Sequence, residues 1–164
     1  HLDGFLSYPS AVYTVPYGVM VPKEVDNLLL PVPVSGSHIG FSTLRMEPCW
    51  MAMGQAAGIA SALSIDGKVK VQNINLSRLQ DKLIDQKATL MYFKDVDYTS
   101  PHFRMVQYLG LRGYLPEWTA RLQEPVDATT LAAWKKLSGT DLPGIEAGKT
   151  TRLATLEMIY RKIK

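Results

Sequence analysis

From Cys49 to Leu63 the chain is apolar at nearly every position, with only Gln55 and Ser61 plainly polar. A surface helix carries an apolar stripe about 100° wide with a polar face opposite. This pattern therefore predicts a helix buried all round, an inner element of a larger domain. Gly58 is then a close-packing position, where Leu would overpack at a cost of roughly 1 to 3 kcal/mol. Upstream, Val34 ends a short apolar strand, and the next residues, Ser35 to Arg45, form a polar loop containing Gly36, His38 and Gly40. Asp66 and Gly67 supply the turn chemistry that ends the helix.

Between Leu2 and Val34 the pattern is broken by Pro9, Pro16, Pro22, Pro31 and Pro33. Each proline lacks a backbone donor and is excluded from helix interiors, so these pieces read as edge strands and connections. Tyr13 to Val15 and Leu28 to Leu30 are the predicted strands, with Val25 to Asn27 as a turn and Val69 to Val71 as a further short strand. Helical spacing then returns. An amphipathic helix is predicted from Asn75 to Gln86, with Leu76, Leu79 and Leu83 inward. Others follow from Pro101 to Arg112, from Ala128 to Leu137 behind an Asp127 cap, and from Thr151 to Ile163.

The predicted fold class is mixed α and β, with short strands and one long buried helix followed by a small all-α module. The boundary is drawn near residues 88 to 92, giving segments 1–90 and 91–164. A content of 46% hydrophobic and 20% charged residues is that of an ordinary globular chain. The net charge of +3 is small and its cations are dispersed, which argues against nucleic-acid binding. The apolar run is shorter than the ~20 residues of a membrane span. Cys49 is the only cysteine, so no intramolecular disulfide can form. The chain opens at His1 without a secretory pattern and reads as part of a longer protein, any signal lying upstream.

Candidate chemistry gathers where the polar loop meets the apolar helix. A helix start directs free N–H groups and the positive end of its dipole at whatever faces it. Arg45 adds a permanent cation there, and two readings are open: an ion pair with Glu47, or stabilisation of negative charge on a bound ring. His38, among small residues, is suited to proton transfer near neutral pH or to a structural hydrogen bond. No second His or carboxylate stands at metal-ligand spacing from it, so no metal site is predicted. Ser35, Ser37 and Ser42 lack a G-x-S-x-G elbow, which leaves serine-hydrolase chemistry unsupported.

Pro16-Tyr17-Gly18 with Val21-Pro22, Asn27-Leu28-Leu29, Ser35-Gly36-Ser37-His38, Leu44-Arg45-Met46-Glu47-Pro48 and Gly54-Gln55-Ala56-Ala57-Gly58 occur in an order that resembles the carboxyl end of the FAD-dependent oxidoreductase family, of the fumarate-reductase-like kind. The resemblance implies that the apolar helix abuts FAD with its leading end at the pyrimidine side of the flavin. Arg45 and the backbone near Met46 to Cys49, Glu47 included, then stabilise reduced-flavin charge. Ser37, Gly54 and Gly58 contribute to cofactor binding, and His38 faces the substrate. The family's G-x-G-x-x-G pyrophosphate turn is missing here. FAD is therefore not expected to stay on this chain alone, and the implied partner is a preceding FAD-binding half. Self-association over the uncovered apolar surface is a further expectation.

Residues from Phe93-Lys94-Asp95-Val96 onward, with Gly113-Tyr114-Leu115 and Glu124-Pro125-Val126, faintly resemble an S-layer-homology-type helical module. That family carries a T-R-x-E-like glycan motif, whereas Thr151-Arg152 is followed here by Leu153 and Ala154. Two roles stay open for this half: a structural cap, or a non-enzymatic module that binds glycan or protein through Tyr114, Trp118 and Trp134.

Overall fold

The computed structural model describes residues 11–164, so Pro9 and the start of the first proline-punctuated segment lie outside the described residues. Six α-helices make up the described chain: α1 (His38–Leu44), α2 (Glu47–Gly67), α3 (Leu76–Asp85), α4 (Phe103–Gly110), α5 (Ala128–Ser138) and α6 (Arg152–Ile163). Two compact units divide between Lys82 and Leu83, inside α3.

The expected strands are the main correction. Among the described residues there is no sheet, only an isolated antiparallel bridge between Pro125 and Thr151. Tyr13 to Val15 and Leu28 to Leu30 are not strands, and Val71–Asn73 is a 3₁₀ turn. The reason is pairing. A strand needs a neighbour with a free edge, and in this proline-rich stretch the cross-chain bonds reduce to Leu30 N–H to Met20 O at 2.8 Å and Ser35 N–H to Val19 O at 2.8 Å.

In the first unit, Met20, Val34, Leu44, Met53 and Ala57 form the core, with Tyr17, Phe41 and Trp50 packed on it. Tyr17 Oη donates to Val71 O at 2.9 Å, and Gln72 Nε2 donates to Val25 O at 3.0 Å, fixing the early segment on the turn that follows α2. Burial pushes the Tyr17 phenol above its usual range. Helix α2 ends at Gly67, where Asp66 and Gly67 were expected to end it, and is stopped by Lys68 in the left-handed region at φ 51°.

The second expectation to fall is that α2 is buried all round. Met53, Ala57, Ala60, Leu63 and Ser64 face inward. On the other side Met51 and Ile65 are each 76% exposed, and a Cβ built on Gly54 or Gly58 meets nothing within 4 Å. Among the described residues, an apolar pattern all round the helix is thus matched by cover on one side only.

The second unit packs α4 against α6 around Val106, Leu109, Leu115, Val126, Trp134, Leu156 and Ile159. Gln107, wholly buried on α4, accepts from the N–H groups of Leu90 (2.8 Å) and Met91 (2.7 Å) and donates to Met91 O at 2.7 Å. It satisfies an otherwise unpaired stretch of backbone. Asp127 and Thr151 cap α5 and α6 by accepting from Thr130 N–H (2.8 Å) and Ala154 N–H (3.2 Å).

Candidate functional site

Helices α1 and α2 are joined by only Arg45 and Met46, because α1 stops where Arg45 closes its last turn with an N–H bond to Phe41 O at 3.0 Å. Met46, extended at φ -91° and ψ 139°, then caps α2 without a side-chain bond. Pro48 sits in the first turn, where a missing N–H leaves no helical bond unmade. Among the described residues the N–H of Glu47 has no acceptor, so this helix start offers an open donor.

Arg45, Met46 and Glu47 are all exposed at this junction. No ion pair joins Arg45 to Glu47, so of the two readings open for Arg45 the intrachain pair is not formed. Cys49, half-buried, donates its thiol to Thr43 O at 3.7 Å, a structural role that stitches α2 to the end of α1. Beside it the Trp50 indole Nε1 is buried without an acceptor among the described residues.

His38 does not lie in a loop. It opens α1 and is exposed. Ser37 precedes it as the helix cap, its hydroxyl oxygen accepting from Gly40 N–H at 3.1 Å. Seven helical residues separate His38 from Arg45, about 10 Å along the axis. Gly54 and Gly58 lie farther still, seven and eleven residues beyond Glu47 on the open side of α2. The fold thus unites Arg45, Met46 and Glu47 but does not gather His38, Gly54 and Gly58 around them in one cavity.

The groove beside α2 is at its opposite end. It has a volume of about 430 Å³ and is lined by Asn27, Ser61, Ser64, Ile65, Lys68 and Lys70. No sequence motif marks these residues, since they are mostly polar, of unremarkable spacing, and brought together only by the turn after α2. Lys70 forms a surface ion pair with Asp26, and Ser64 Oγ donates to Val69 O at 2.5 Å, so both are engaged in holding that turn.

In the second unit the residues considered for glycan contact separate into two kinds. Tyr114 and Trp134 are core, and Trp134 Nε1 donates to Tyr114 O at 2.7 Å. Tyr114 is therefore not the exposed aromatic anticipated, and burial raises its phenol, with nearby Tyr108 adding to the effect. Trp118 is 44% exposed. Arg152 is buried, donates from Nε to Ala120 O at 2.9 Å and sits 5.0 Å from the Trp134 ring, so it braces the interior. Desolvation lowers its pKa, with Arg121 adding like-charge repulsion. Asp95 accepts from Ala120 N–H and Arg121 N–H, both at 2.8 Å, which gives Phe93-Lys94-Asp95-Val96 a structural explanation.

Among the described residues no group of His, Cys, Asp and Glu is disposed to hold a metal ion, and no helix is long and apolar enough to cross a membrane. Residues 3–83 match the family model described as FAD dependent oxidoreductase. This region therefore resembles an FAD-dependent oxidoreductase, and the match takes in the whole α1–α2 junction. No curated protein and no solved structure matches the chain. Nothing in these comparisons supports an S-layer-homology module in the second half.

Proposed function

We propose that the first unit is the carboxyl part of an FAD-dependent oxidoreductase and that its α1–α2 junction forms one wall of the flavin site. The observation that carries this reading is the family match across residues 3–83, which covers a junction where Arg45 is exposed without a carboxylate partner among the described residues. FAD, when bound, supplies the hydride acceptor. The residues present fit one side of that group and not all of it. Arg45 and the open N–H at Glu47 suit an electron-rich carbonyl region that gains negative charge on reduction. The chain has no G-x-G-x-x-G turn for the pyrophosphate, which a preceding FAD-binding half would provide.

In this reading Arg45 binds and orients, while the backbone at Met46 and Glu47 adds the helix dipole. Gly54 and Gly58 let another surface approach α2 closely, because neither carries a side chain. Ser37 acts indirectly by capping α1 and so setting the position of His38. His38 is the proton-transfer residue on the substrate side.

The test compares visible spectra. The 164-residue chain, mixed with FAD and desalted, is expected to come out colourless, and the same chain joined to the dinucleotide-binding half of its natural protein is expected to be yellow. In the joined protein Arg45→Ala should shift the flavin potential or slow its reduction at unchanged melting temperature. A colourless joined protein would remove the flavin reading. An unaltered potential and turnover would show that Arg45 does not stabilise the reduced flavin.

A further inference from the structure

We draw no further inference here: the strongest candidate, the uncovered face of α2 around Gly54 and Gly58, belongs to the wall that the flavin reading already gives to a preceding FAD-binding half, and nothing among the described residues shows what else covers it.

Discussion

Gln107 shows how much can depend on one side chain. Its wholly buried amide satisfies two N–H groups and one carbonyl on the half-buried segment before α4. Gln107→Leu keeps the volume and strands those groups, so it should destabilise the second unit by about 3 kcal/mol or more, measured by urea unfolding. A loss below 1 kcal/mol, taken as about the value of one ordinary hydrogen bond, would mean the segment finds other partners. Asp127 tests electrostatics at the same scale. Thr130, through its side chain first and its N–H second, holds the Asp127 carboxyl below the usual carboxylate range. A depressed folded pKa gives stabilisation that is complete above the unfolded value and fades as pH falls through the folded one. Asp127→Asn keeps a capping oxygen and should flatten that portion of the acid dependence; an unchanged slope in acid would place the dependence elsewhere. The cap was legible in the sequence because Asp before a helical run has a local meaning. The Gln107 staple was not, since it spans sixteen or seventeen residues to a segment without periodicity.

Element by element, the helices were readable and the strands were not. Helices α3 to α6 follow their 3.6-residue spacing and their caps closely, with ends differing by a residue or two. The strand expectations rested on composition, and composition cannot supply the neighbouring edge that a strand requires. Helix α2 is the instructive middle case. Its existence was plain, but its burial depends on what surrounds it, and the open space at Gly58 reverses the expected effect of a side chain there. Gly58→Leu should stabilise the monomeric fold by about 0.8 kcal/mol through helix propensity instead of overpacking it, as thermal unfolding at low protein concentration can determine. A drop in stability would show that this face is covered after all. Gly110 is the contrast: a Cβ there would lie 3.0 Å from the Phe93 ring, so Gly110→Ala must displace a core aromatic and should destabilise the second unit.

For the molecule as a whole, two helical units replace the mixed α and β chain that the proline-punctuated start suggested. Far-UV circular dichroism should show a helical spectrum with no substantial sheet component, and a dominant sheet signal would contradict the fold. The candidate site was legible to the extent that it is contiguous: Arg45, Met46 and Glu47 are neighbours in sequence and remain so in space. His38 and the two glycines were joined to them by resemblance, and α1 and the length of α2 keep them about 10 Å or more away. The sequence by itself determined the helices with strong periodicity, their caps and the family likeness of residues 3–83, because each depends on residues close together or on a set order along the chain. Only the tertiary structure decided that, among the described residues, Arg45 has no ion-pair partner and one side of α2 is uncovered, and that Tyr114, Trp134 and Arg152 are interior. Burial and pairing are properties of what comes near, and no local pattern specifies the neighbour.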